Sequence, residues 1–71
     1  MFSKKEITET GNKIIIRYRF NINDPVLSTN KDKYILNSVI LSRYNVNGEN
    51  YYKIGDKINT KICKEKELIH R

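Results

Sequence analysis

The stretch Val39–Ile54, VILSRYNVNGENYYKI, constrains this chain more than any other, because Asn47-Gly48 lies at its centre. A two-residue type I′ hairpin turn needs φ > 0 at both central residues, and Asn-Gly tolerates that conformation twice over. β-branched and aromatic residues flank the dipeptide on both sides, as strands prefer. With the turn placed there, Tyr44 faces Tyr51, Arg43 faces Tyr52 and Leu41 faces Ile54.

The rest of the chain supports a sheet less directly. Ile7–Ile22 reads as a first hairpin with Gly11-Asn12 as a type II′ turn, so that Thr10 faces Lys13, Ile7 faces Ile16 and Glu6 faces Arg17. Its second strand alternates over Ile14–Ile22: Ile14, Ile16, Tyr18, Phe20 and Ile22 share one face, and Ile15, Arg17, Arg19 and Asn21 the other. Asn23-Asp24-Pro25 ends that strand, and Val26–Lys33 reads as a loop from which Val26 and Leu27 can tuck onto the core. Tyr34–Leu41 fits two templates. As a helix it places Ile35, Leu36, Val39, Ile40 and Tyr44 on one face, with Ser28 or Thr29 as N-cap. As a strand it needs a bend or bulge near Asn37-Ser38. The bent strand is the expectation, because Val39–Val46 must pair across the Asn-Gly turn. Gly55-Asp56 makes another turn. Lys57–Cys63 then alternates with Ile58, Thr60 and Ile62 on one side, and Leu68 and Ile69 can dock the charged tail Lys64–Arg71.

These readings predict one small, mainly β domain over residues 1–71. It is an antiparallel barrel or curved sheet of four to five strands, of SH3-like or OB-like size, with one short helix around 30–43 as the variant. A chain of 71 residues buries only roughly 60% of its unfolded surface, so the core is modest. One cysteine excludes an internal disulfide, and one cysteine with one histidine does not close a four-ligand zinc site. No apolar run reaches the roughly 20 residues of a membrane span, and MFSKKEITET lacks the apolar centre of a signal peptide. A cytoplasmic protein without a membrane partner is the expectation.

Catalytic chemistry finds few candidates. His70 lies one residue from the last one given, where a Ser-His-Asp arrangement is hard to support. Cys63 has Lys61 and Lys64 nearby, which would lower its pKa, but no histidine beside it, and a structural thiol is the plainer reading. The carboxylates Glu6, Glu9, Asp24, Asp32, Glu49 and Asp56 fall at turns and exposed positions. Gly11, Gly48 and Gly55 are each explained by a turn, which leaves no phosphate-binding loop. No enzyme activity, metal site or cofactor is expected.

Binding is better supported. The formal charge is +6, from 14 Lys and Arg against 8 Asp and Glu, which favours a polyanionic partner or simple solubility. One face of the central hairpin carries Ser42, Tyr44, Tyr51 and Lys53, with Val46 and Ile40; Arg43 and Tyr52 pair on the other. Arg17 and Arg19 mark the outer face of the first hairpin, with Lys4 near. Arg17, Arg19, Arg43, Tyr44, Tyr51, Tyr52 and Lys53 are therefore the candidate contact residues. Tyrosines flanked by cations suit base stacking on single strands, and Tyr and Arg equally suit protein–protein hot spots. The 10 Lys, 11 Ile and 9 Asn, with no Ala, Gln or Trp, are the signature of A/T-rich codons. They point to an A+T-rich bacterium, or to a phage or mobile element living in one. The expected function is a stoichiometric inhibitor or regulator of a nucleic-acid-handling protein or nucleoprotein complex, for example a host defence or CRISPR effector. Direct binding of single-stranded nucleic acid is the alternative, and a structural homo-oligomer the third reading.

Overall fold

The Asn47-Gly48 turn closes with φ of 52° and 85° in the computed structural model, which describes residues 15–71. Both angles lie in the left-handed region that a type I′ turn requires. The turn joins β2 (Val39–Val46) to β3 (Glu49–Gly55), and Tyr44↔Tyr51 and Arg43↔Tyr52 pair as expected. Leu41 does not face Ile54. The register shifts between Ile40 and Ser42, so Ile40 pairs with Ile54 and Leu41 is the bulged residue. A one-residue shift changes which face a side chain meets. Ile40 is accordingly fully buried beside Ile54 and does not join the outer face with Tyr44.

Gly55 ends β3, and β4 (Thr60–Lys64) returns antiparallel with Tyr52↔Cys63 and Lys53↔Ile62. The Asp56 carboxylate organises the intervening loop, accepting from the Ile58 and Asn59 amides at 2.7 Å each. A Cβ on Gly55 would collide with the Asn59 carbonyl oxygen, which is main chain and does not swing aside. Gly55→Ala is therefore expected to cost about 3 kcal/mol, the upper end for overpacking, and to lower Tm by roughly 12 °C or more in a thermal melt.

Val26–Leu27–Ser28 is not loop but β1, paired antiparallel with β5 (Leu68–His70) at the far end of the sequence. The strands form two sheets, β1-β5 and β2-β3-β4, and an isolated bridge, Pro25↔Val39, joins the residue before β1 to the first residue of β2. The architecture is a curved, open antiparallel assembly of two sheets. Of the two expected forms, barrel and curved sheet, it is the curved sheet: β1-β5 and β2-β3-β4 do not close into a barrel, and the 3₁₀ turn Glu65–Glu67 carries the chain from β4 into β5 beside β1. Glu67 holds that turn. Its carboxylate accepts from the Lys64 amide at 2.8 Å, from Asn30 Nδ2 at 3.0 Å and from Lys33 Nζ at 3.2 Å.

Residues 34–38 form neither strand nor helix. Asn37 takes φ of 63°, which supplies the bend expected near Asn37-Ser38. The only helical residues nearby are one 3₁₀ turn, Lys31–Lys33, capped by Asn30 and not by Ser28 or Thr29.

The first hairpin fares differently. Its turn at Gly11-Asn12 and the pairs Thr10–Lys13, Ile7–Ile16 and Glu6–Arg17 lie outside the described residues, in whole or in part. The described part, Ile15–Ile22, is not a strand. The alternation holds only at its centre: Phe20 is buried and Tyr18 packs against the core cluster while Arg17, Arg19 and Asn21 are exposed, but Ile16 and Ile22, expected on the same face as Phe20, are exposed too. Side chains take the place of a ladder. Tyr52 Oη and a Glu65 oxygen each accept from the Arg19 amide at 3.0 Å. Asn50 donates to the Arg17 carbonyl at 2.7 Å, and Arg43 to the Phe20 carbonyl at 3.0 Å. The segment is a strap over the core of Phe20, Val26, Ile40, Tyr52, Ile54, Cys63 and Leu68.

Candidate functional site

The pairing of β2, β3 and β4 decides what each strand shows to solvent. Tyr52, Ile54 and Cys63 point inward, so their neighbours Tyr51, Lys53, Ile62 and Lys64 point outward. Ser42, Tyr44 and Val46 join them from β2 through the pairs Ser42↔Lys53, Tyr44↔Tyr51 and Val46↔Glu49. The outer face thus presents Tyr44 (39% exposed), Val46 (46%) and Ile62 (42%) around a half-buried Tyr51. Tyr44 and Tyr51 stack on one another, ring centroids 5.9 Å apart and planes 13° apart. Lys53 stands beside them, and Lys64 lies 3.9 Å from Glu49 across the solvated edge of the patch.

Of the seven candidate contact residues, only Tyr44, Tyr51 and Lys53 share this face. Arg43 and Tyr52 serve the other side of the sheet. The Arg43 guanidinium lies 4.6 Å over the Tyr18 ring and also donates to Asn21 Oδ1 at 3.0 Å. Tyr52 is fully buried, edge-on to Tyr18 and Phe20 at 6.1 and 5.4 Å. Arg17 and Arg19 belong to the strap on that inner side, and Arg19 sits over the Phe20 ring at 5.2 Å. The sheet therefore separates the tyrosine pair from all three arginines.

Two carboxylates that the sequence reading passed over are the best-connected groups of the inner side. One Glu65 oxygen receives the Tyr52 hydroxyl, the Arg19 amide and Asn50 Nδ2. Burial would raise the Glu65 pKa, but the Tyr52, Arg19 and Asn50 hydrogen bonds outweigh it and hold the carboxyl below its usual range. Burial, then the bond to Glu65, pushes the Tyr52 hydroxyl up to about 12. The Asn30 hydrogen bond first, then the Lys64 amide and Lys33, bring Glu67 down to about 2. A carboxylate with a depressed folded-state pKa contributes stability above its unfolded value and loses it as pH falls toward the folded one. The stability from Glu67 is thus present at neutral pH and lost between about pH 4.5 and 2. Glu67→Gln is expected to cost about 1–3 kcal/mol at pH 7 and to flatten the acid limb of a Tm-versus-pH curve.

The candidate catalytic groups sit apart. Cys63 is fully buried, and burial drives its thiol up rather than letting Lys61 and Lys64 bring it down. His70 is more than half exposed, edge-on to Phe20, with Nε2 3.8 Å from Asp24. The buried Ser28 and Ser38 hydroxyls donate to the carbonyls of Asn30 and Val26. Among the described residues no group of three His, Cys, Asp or Glu converges, and no helix is long and apolar enough to cross a membrane. Comparison with known protein families, with curated proteins and with solved structures gives no match.

Proposed function

We propose that the protein acts by binding rather than catalysis. In this reading it is a small regulator or inhibitor that docks its outer sheet face onto a nucleic-acid-handling protein or nucleoprotein complex. The observation that carries the reading is the exposed Tyr44–Tyr51 stack, set among Val46 and Ile62 and parted from Arg17, Arg19 and Arg43 by the sheet. A nucleic-acid platform needs free ring faces beside cations that follow the phosphates. Here the rings spend one face on each other, and only Lys53 and the Glu49-paired Lys64 lie beside them. A flat aromatic–aliphatic patch with a polar rim suits the centre of a protein interface better. The charge of +6 would then serve approach to a partner that itself holds a polyanion. The A/T-codon composition fits a phage or mobile-element source and places defence complexes, CRISPR effectors among them, with the partners to test.

Fluorescence anisotropy of single- and double-stranded oligonucleotides at two salt concentrations tests the choice. Weak binding is expected at physiological salt, while the immobilised protein retains a nuclease-resistant protein partner that the Tyr44→Ala/Tyr51→Ala variant fails to retain. Tight, salt-sensitive oligonucleotide binding that the same variant loses would instead establish direct nucleic-acid recognition.

A further inference from the structure

The second feature of the sheet with no assigned role is the outer edge of β4. β3 pairs β4 on one side, and among the described residues no strand pairs it on the other. Which groups this edge presents follows from the hairpin. Val46↔Glu49 flanks a two-residue turn and is a hydrogen-bonded pair, and alternation makes Tyr44↔Tyr51 the next. The main-chain groups of Tyr51 therefore point at β2, and those of its β4 partner Lys64 point away from β3. The Lys64 amide confirms this by donating to Glu67. By the same alternation Ile62 and Thr60 direct N–H and C=O away from β3, while Glu67 occupies the edge at its Lys64 end and the 3₁₀ turn Lys31–Lys33, bonded to Glu67 through Lys33, packs against β4.

Charge around the edge is mainly basic. Lys53, Lys57, Lys61 and Lys66 are exposed, and none forms an ion pair or side-chain hydrogen bond with another described residue. Asp56 is engaged on its loop amides, Glu65 on Tyr52 and Asn50, and Glu67 on Asn30 and Lys33, while Asp32 is exposed on the 3₁₀ turn Lys31–Lys33 packed against β4. Lysines on an edge strand discourage a second copy, because like charges would meet across the joint. They do not discourage a strand of opposite charge. Phosphates are the poorer fit, since a row of alternating N–H and C=O groups matches another backbone.

We infer that the Thr60–Ile62 edge of β4 accepts an extended acidic segment of the protein partner as an added strand, its carboxylates meeting Lys57 and Lys61. The inference rests on the reading of the outer face only in taking that partner to be a protein.

The test uses a labelled short peptide alternating Glu with Val and Thr, its Lys counterpart and a labelled oligo-dT. The wild-type chain is expected to bind the acidic peptide in preference to the other two. Ile62→Pro removes the outward N–H without removing a ladder bond to β3, a placement proline tolerates. With far-UV CD unchanged it is expected to weaken the peptide about tenfold. Lys57→Glu/Lys61→Glu, which leaves the backbone alone, is expected to lose the acidic peptide and gain the Lys one. No acidic-peptide binding by the wild type, unchanged binding by either variant, or a preference for oligo-dT would overturn the inference. Tyr44→Ala separates the two readings. Peptide binding intact with partner capture undiminished sinks the face reading alone, and partner capture lost with no peptide binding sinks the edge alone.

Discussion

Tyr52→Ala is expected to abolish the cooperative unfolding transition or to lower Tm by roughly 15 °C or more. Emptying the space of a fully buried aromatic costs about 3–5 kcal/mol. A domain of this size holds only ~4–10 kcal/mol in total. Packing is half of the effect. The ring meets Tyr18 and Phe20 edge-on, and its hydroxyl accepts from the Arg19 amide while donating to Glu65. Tyr52→Phe separates the two contributions, keeping the ring and dropping the hydroxyl. It is expected to cost about 1–3 kcal/mol, as for a buried polar group deprived of a partner. Hydrogen exchange should locate the loss, with the Arg19 and Phe20 amides exchanging faster while the β3 amides change less. A uniform rise across β3 and the strap would show that they open together and that the hydroxyl is no local latch.

Tyr44→Ala/Tyr51→Ala is expected to do the opposite. Both rings lie on the outer face and touch no core residue of the inner cluster, so the cost to stability is that of a cross-strand pair and part-buried area, about 1–2 kcal/mol. Partner affinity should fall by about 2–4 kcal/mol, roughly 30- to 1,000-fold, as for paired aromatic anchors at the centre of an interface. The loss should appear mainly as faster dissociation in a surface-plasmon measurement. Arg43→Ala is the control with reversed signs. It breaks the bonds to Phe20 and Asn21 and so loosens the strap, yet leaves the outer face intact.

The central hairpin was legible because its determinants are local: a turn dipeptide and the residues beside it. Most of the remaining fold is determined non-locally. β1 and β5 pair across 40 to 44 positions of sequence, and nothing in VLS alone distinguishes a loop from a three-residue strand. The Ile15–Ile22 alternation marks Tyr18 and Phe20 as core-facing but wrongly adds Ile16 and Ile22, which are exposed, and it does not show whether the backbone bonds to a strand or to side chains. Regular alternation puts Ile40 with Tyr44, because a bulge at Leu41 has no sequence signal that a regular strand lacks. The aromatic–basic cluster failed to assemble for a related reason. Arg43 and Tyr52 alternate correctly away from Tyr44 and Tyr51, but the strap that brings Arg17 and Arg19 to the inner side follows from no pairing rule. Glu65 and Glu67 looked like members of a solvated charged tail. The Lys64-x-x-Glu67 spacing, that of a capping box without its usual Ser or Thr, was the one local sign that a carboxylate there turns inward.

Site-specific photocrosslinking tests the central claim most directly, namely that the tyrosine face meets a partner while the strap holds the fold. A photoreactive phenylalanine is placed at Tyr44 in one protein and at Arg19 in another, and each is irradiated in a lysate of the source organism. The account predicts a discrete, nuclease-resistant protein adduct from position 44 and none from position 19. An adduct from position 19 alone, or a nucleic-acid adduct from position 44, would contradict it.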